Sequence, residues 1–447
     1  LLWNQMAIDY IADYFGFREN NTNLKTETLA GLTTFMTMSY IIFVQPAILG
    51  AAGMDKGAVM VATCIAAAVS TILMGLLTNY PIALAPAMGH NVFFAVVVCG
   101  IMGFSWQVAL GAVFISGMAF LLLTFFNAWG HIISAIPECL KYGIAVGIGL
   151  FISFIGFQYG GLVVDTPGVL VGLGDLKSPP VMLTVIGTLI TMGLYTKNIK
   201  GSILLGMLIT CFVGILLNVV SYTGVVSAIP KIDATFMKLD IAGAFKAGII
   251  TVVFTFFFLD VFDTMGTLIG VTSQAGYIKD GKLPLANKAM LADAVGTVGG
   301  ALLGTSTVTS YIESSTGIAQ GGRTGFASIV TGVLFLVALF FSPLAEMIGG
   351  GYMVGDTQLY PVIAPALIIV GFLMMKSIGQ INWNEVTEAL PAFVVIITMP
   401  LTFSITDGIG FGIITYTFLM VVAKKSKEIH WLLYLITFLF LARYILT

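Results

Sequence analysis

Long apolar runs broken by short polar, glycine- or proline-bearing punctuation recur along the whole chain, at 28–50, 56–78, 81–99, 106–127, 140–157, 181–196 and 202–222. After a polar linker at 224–240 they resume at 245–271, 285–303, 304–319, 325–348, 360–376, 390–405 and 408–423. A membrane-crossing helix needs about 20 apolar residues, whereas a membrane β-barrel leaves alternating segments of about 10. The pattern therefore predicts an all-α polytopic membrane protein with fourteen transmembrane helices. A last apolar stretch, HWLLYLITFLFLARYIL at 430–446, reads as one more span or as an interfacial helix. Two halves of seven spans can repeat only if the second is inverted, as in many secondary transporters. The chain carries echoes of such a 7+7 inverted repeat: AGLTTFMTMSYIIF (30–43) lies over AGIITVVFTFFFLD (247–260). The third and tenth spans, APAMGHNVFFAV and STVTSYIESSTGIA, are both short and begin with an extended-looking Pro- or Ser/Thr-rich run. Interrupted segments in matching positions point to a binding site near the membrane midplane.

Composition narrows the class further. Of the 447 residues 58% are hydrophobic and 9% charged, with a mean hydropathy of +1.03, against about 25% charge in soluble domains. A net charge of −2 gives no footprint for nucleic acid. Cys64, Cys99, Cys139 and Cys211 lack the spacing of a zinc site or a disulfide framework and read as small core residues. The start of the chain, with IDYIADYFGF, reads as an amphipathic, acidic cytoplasmic segment and not as a cleaved leader. With that terminus inside, Arg18, Lys25, Lys197, Lys200, Lys279, Lys282, Arg323, Lys424, Lys425 and Lys427 fall on the cytoplasmic side, in line with the positive-inside rule. Lys56, Lys177, Lys231 and Lys238 fall outside, mostly beside acidic neighbours.

Candidate chemistry lies in carboxylates within the spans. Asp260, Asp263 and Glu313 have no Lys or Arg within a helical turn or two, and an ionised group at the bilayer centre costs from ~3 to ~10 kcal/mol or more. Such acids should face a polar cavity. Asp260 and Asp263, three apart, share a helix face with Thr264 and Thr267. Glu313 falls near a half-helix start, where free N–H groups and the dipole favour a carboxylate. Asn91 offers a donor and an acceptor, or caps its half-helix, and Gly89 admits a ligand close to the backbone. A wall of acceptors suits a flat heterocycle rich in N–H donors. Buried carboxylates also suit proton exchange, with Na⁺ as the alternative coupling ion.

Gly-x-Asn in the third span, LDVFDTMGT in the eighth and TSYIESSTGIAQGGRTG in the tenth together resemble the AzgA branch of nucleobase permeases, over nearly the whole chain. The resemblance implies a uracil-permease-like fold, import of a purine (adenine, guanine or hypoxanthine) by proton symport with alternating access, and a multi-pass place in the cell (inner) membrane. It implies a core domain from 28–127 and 226–348, a gate domain from 128–225 and 349–424, flanking segments at 1–27 and 425–447, and a homodimer formed through the gate. It places substrate contacts on Gly89, Asn91, Asp260, Asp263, Tyr311 and Glu313, and proton coupling on Asp260, Asp263 and Glu313. Two positions depart from the family: His90 stands where an apolar residue is usual, and Ala87 where Gly is common. The Gln/Glu-Asn-x-Gly motif of the xanthine, urate and ascorbate branch is missing.

Other polar residues read as structural. Asp293 is expected near the cytoplasmic end of its span with Lys288 or Arg323 as partner; His90 as a satisfied or interfacial histidine; His131 and His430 as loop or boundary residues. GTVGGALLG favours close helix packing and matches no phosphate loop. No cofactor or metal is called for, and neither HExxH nor GxGD supports an intramembrane hydrolase. An anion exchanger or channel of the same fold is the alternative, disfavoured by three acids at the site.

Overall fold

The computed structural model describes residues 10–126, 136–166, 168, 170–245, 249–277, 283–355 and 357–446. His131, Lys279 and Lys282 lie outside the described residues. The fold is helical and polytopic. Among the described residues eight helices are long and apolar enough to cross a membrane, including Lys56–Thr78, Trp106–Phe125, Glu138–Tyr159, Gly325–Gly349 and Ile405–Val422. Five shorter apolar helices, including Met88–Ile101, Ala364–Gln380 and Trp431–Ala442, join them.

Three expected spans take other forms. Residues 28–50 form α1 (Leu24–Met38) and α2 (Ile41–Ala51), separated by a tightened turn in which Ile42 N donates to Ser39 O and Phe43 N to Tyr40 O, each at 3.1 Å. That turn swings the Tyr40 hydroxyl inward. The third span begins as an extended strand, β1 (Leu84–Pro86), before a short helix, α4 (Met88–Val92), that continues as a π-helix over Phe93–Ile101. Pro81 and Pro86 dictate this, since each lacks an N–H and biases its predecessor towards extended backbone. The tenth span likewise opens as a strand, Val308–Ser310, within a run of β-branched and hydroxyl residues, and only then forms the helix Ser314–Ala319. The two strands pair antiparallel, Leu84 opposite Ser310, Ala85 opposite Thr309 and Pro86 opposite Val308. Two hairpins, Val163–Thr166 with Leu170–Leu173 and Tyr352–Val354 with Thr357–Leu359, add further strands. The purely helical expectation is corrected accordingly: hydropathy registers how apolar a segment is, and these segments are apolar whether coiled or extended.

Exposed strand edges are costly inside lipid, and both halves solve this with a threonine. The Thr71 hydroxyl on the Lys56–Thr78 helix (α3) donates to Leu84 O and accepts from Leu84 N, both at 2.9 Å. The Thr297 hydroxyl on the Ala286–Leu303 helix donates to Val308 O at 2.9 Å and accepts from Val308 N at 3.2 Å.

The helices sort into two packing groups. α1, α2, α3, Trp106–Phe125, Ile249–Gln274, Ala286–Leu303 and Gly325–Val337 pack around the strand pair, while Glu138–Tyr159, Pro179–Thr196, Ser202–Leu216, Ala364–Met374, Val386–Thr402 and Ile405–Val422 pack with one another. The C-terminal helix Trp431–Leu446 lies along Ile405–Val422, with the Thr417 and Thr437 hydroxyls 2.9 Å apart.

One fully buried carboxylate escaped the sequence reading because it looks like an ordinary first-turn acid. Glu27 on α1 accepts from the Thr22 hydroxyl (2.8 Å), Arg323 N (2.8 Å) and Thr324 N (3.2 Å), and so ties α1 to the start of the Gly325–Val337 helix. Glu27→Ala would leave two backbone donors without an acceptor, at about 1–3 kcal/mol each. The thermal midpoint of the detergent-solubilised protein should drop by several degrees, as about 2–6 kcal/mol of stability is lost; an unchanged melting curve would contradict this.

Candidate functional site

The paired strands hold the ends of α4 and Ser314–Ala319 against each other, and the candidate residues gather around this crossing. Ala87 N donates to Thr307 O and Tyr311 N to Ala83 O, both at 2.9 Å, which extends the ladder beyond the strands. The Tyr311 hydroxyl donates to Pro86 O, so this aromatic residue bolts the two interrupted spans together and keeps only its ring for a ligand.

Glu313 occupies the position before the Ser314–Ala319 helix but makes no capping bond. Its half-buried carboxylate instead accepts from the Tyr40 hydroxyl at 2.7 Å, through Oε1. A phenol delivered by the turn between α1 and α2 thus joins the residue's own N–H at the helix start in holding this carboxylate. Asn91 is likewise not a cap: Ala87 holds that position, and Asn91 sits inside α4, its Oδ1 accepting from the Ser306 hydroxyl. Its Nδ2 has no partner. The Ser306 hydroxyl also accepts from Gln45 Nε2 at 3.3 Å, and Gln45 Nε2 donates to Thr305 Oγ1 at 2.9 Å, linking α2, α4 and the approach to the second strand. A Cβ at Gly89 would lie 2.8 Å from Ile148 Cγ2 on the Glu138–Tyr159 helix, so α4 faces the second packing group here with little room to spare.

The Ile249–Gln274 helix carries both aspartates. Asp263 is half-buried, with the Thr309 hydroxyl 3.5 Å from Oδ2, and lies close enough to Glu313 for the two carboxylates to repel. Asp260 is fully buried; Oδ2 is 3.3 Å from the Thr297 hydroxyl and Oδ1 has no partner. Behind them is a fourth acid. Asp293 is fully buried, its carboxylate oxygens lie 2.7 and 2.9 Å from the Thr264 hydroxyl, and it is within repulsive range of Asp260. The ion pairs among the described residues are Lys141–Glu138 and Lys425–Glu385. The expected pairing of Asp293 with Lys288 or Arg323 is therefore corrected: the Arg323 guanidinium donates instead to Ile318 O and Gly322 O. The acids form two layers, Asp263 and Glu313 half-open and Asp260 and Asp293 sealed behind, with no cationic partner among the described residues.

His90 departs from expectation too. It is 2% exposed, neither ring nitrogen has a partner, and its ring stacks on Phe256 at 6.5 Å and 15°. His430 does sit at a boundary, its Nδ1 accepting from Leu432 N. The described cysteines are all free. A cavity of about 340 Å³ opens elsewhere, lined by Asn218, Ser221, Glu346, Tyr352 and Pro361 among others, and none of the four acids borders it.

Residues 25–411 match the sequence profile of a permease family, Xan_ur_permease. The chain belongs to this family. It is 51% identical to a putative permease of Methanocaldococcus jannaschii, over 98% of this chain and 99% of that protein. It is 43% identical to the adenine permease AdeP of Escherichia coli (96% and 94% covered) and 44% identical to the guanine/hypoxanthine permease PbuG of Bacillus subtilis (94% and 96% covered). In fold it is similar to the transmembrane domain of the cyanobacterial bicarbonate transporter BicA, with a TM-score of 0.63 at 16% identity over 87% of this chain and 97% of that one. Membership of a permease family makes the protein a transporter and not an enzyme.

Proposed function

We propose that this permease carries purine bases, adenine, guanine or hypoxanthine, across the cell membrane by proton symport. The observation that carries the reading is the pair Asp263 and Glu313, half-buried acceptors near each other beside the strand crossing with no ion-pair partner among the described residues. Purine rings offer N–H donors to such acceptors, and the relatives named for adenine and for guanine/hypoxanthine support that choice. Gly89, Asn91, Asp263, Tyr311 and Glu313 form the substrate wall, with Asp260 buried directly behind it, and Asp260, Asp263 and Glu313 share the transported proton. Acids this close titrate as a group, so the proton belongs to the cluster.

In this reading the fourteen spans form an inverted repeat, with Thr71 and Thr297 as equivalent edge caps. The core, 28–127 and 226–348, moves against the gate, 128–225 and 349–424, to alternate access; the N-terminus is cytoplasmic, and gates from two copies form a dimer. Counterflow in proteoliposomes tests the reading. Radiolabelled hypoxanthine, guanine or adenine should exchange against internal unlabelled purine, and an inwardly directed proton gradient should drive accumulation. Failure to move any purine under that gradient would sink the proposal, and accumulation driven by Na⁺ alone would replace the coupling ion. The anion-exchanger alternative shares the fold of BicA, but four carboxylates around the site repel anions; purine-independent bicarbonate or sulfate flux would revive it.

A further inference from the structure

We propose that His90 reads the substituent at the 6-position of the purine, an inference that rests on the purine-transport reading above. Among the described residues nine buried side-chain polar atoms lack a partner. Seven of them belong to residues at or beside the crossing: both His90 nitrogens, Asn91 Nδ2, Gln45 Oε1, Thr307 Oγ1, Asp260 Oδ1 and Ser39 Oγ, the remaining two being Ser116 Oγ and Thr324 Oγ1. Buried polar groups are normally satisfied, so a concentration of orphans in one place marks where a polar ligand completes the bonding. His90 contributes two of the seven, more than any other residue.

Its position fits the task. The imidazole lies nearly parallel to the ring of Phe256, 6.5 Å away between centroids, and Phe256 precedes Asp260 by one helical turn and so continues the face that carries Asp260 and Asp263. A base held by the carboxylates at one end of this stripe presents its other edge towards the histidine. The carboxylates, when ionised, only accept hydrogen bonds, and the free Asn91 Nδ2 only donates. Neutral imidazole carries one donor and one acceptor and exchanges them by changing tautomer. It can therefore donate to the carbonyl oxygen of hypoxanthine or guanine and accept from the amino group of adenine. An apolar side chain at this position can do neither.

Equilibrium binding of hypoxanthine, adenine and unsubstituted purine to the purified full-length protein tests this, comparing wild type with His90→Leu and His90→Gln. His90→Leu is expected to weaken hypoxanthine and adenine about 10- to 100-fold, the weight of one lost buried hydrogen bond, while unsubstituted purine binds within about threefold of wild type. His90→Gln, which keeps a donor and an acceptor, should recover part of the loss. An equal loss for all three bases, or an unchanged ratio among them, would overturn the inference and leave His90 a packing residue. Should His90→Leu fail to elute as a single species in size exclusion, His90→Met, equally without a donor or strong acceptor, decides the same ratio. Wild type that binds none of the three bases would defeat the transport reading itself, whereas wild-type binding with unchanged ratios defeats only the role of His90.

Discussion

Glu313→Gln is expected to abolish uphill purine uptake and to lower counterflow about 100-fold, in protein that still inserts and purifies as wild type. Folding should survive because glutamine has the same shape and its amide oxygen can still accept from the Tyr40 hydroxyl, now 2.7 Å from Oε1. Binding should not. Hydrogen bonds to a charged acceptor contribute about 1.5–3 kcal/mol against about 0.5–1.5 for neutral pairs. The new NH₂ also turns a donor towards the donors of the base, so a loss of about 2–3 kcal/mol, roughly 30- to 150-fold, follows from binding alone. Under the proposed proton symport, uphill uptake falls further, since an amide cannot carry a proton. Asp263→Asn should act in the same direction and more weakly, because its hydroxyl contact to Thr309 is long at 3.5 Å. Counterflow and gradient-driven uptake on the same vesicles separate the two losses. Wild-type rates from both variants would remove these acids from the site.

The two layers of acid suggest a division of work within the cluster. Asp263 and Glu313 are half-buried, while Asp260 and Asp293 are sealed and meet hydroxyls of Thr297 and Thr264. Thr297 also caps Val308 in the second strand. A change of protonation at Asp260 therefore bears directly on a hydroxyl that fixes the strand crossing. That shared threonine is a physical route from the buried acids to the backbone that shapes the site.

Much of this was legible in the chain. Apolar runs marked the helical membrane class, and the unpaired acids Asp260, Asp263 and Glu313 stood out because charge is so costly in those runs. The proline and threonine runs marked the third and tenth spans as interrupted, and both open as strands. What hydropathy cannot register is direction. Tyr40 sits in the apolar run SYIIFVQP, and only the turn at Ser39–Tyr40 aims it at Glu313. Asp293 looked like an acid in search of a cation; its partner is a neutral hydroxyl 29 positions away, on the helix that also carries Asp260 and Asp263. Glu27 was lost among first-turn acids because its partners lie in a loop nearly 300 residues later. Asn91 and His90 are adjacent, yet one is held by Ser306 and the other by nothing polar, a difference set by packing and not by residue type.

Gly325→Val is expected to prevent assembly of the bundle that carries the site. A Cβ at Gly325 would lie 2.1 Å from Gly75 O, 2.7 Å from Gly75 C and 2.8 Å from Gly75 Cα. Conversely, a Cβ at Gly75 would lie 2.6 Å from Gly325 O. All of these are backbone atoms, so no side chain can rotate away, and the two helices must separate instead. Without a hydrophobic force between helices in lipid, close backbone approach is what holds such a crossing together. Overpacking costs about 1–3 kcal/mol in forgiving cores, and here it should exceed that range. The shift would propagate at once: Gly325 N donates to Asn79 Oδ1 at 2.8 Å, Arg323 N and Thr324 N are held by Glu27, and the Ser328 hydroxyl donates to Tyr80 O and Ile82 O just before the first strand. Fluorescence-detected size exclusion should show aggregated Gly325→Val and reduced, lower-melting Gly325→Ala, with purine counterflow lost in the first and diminished in the second. A monodisperse, wild-type-like Gly325→Val would show that this helix crossing has slack that the backbone contact denies.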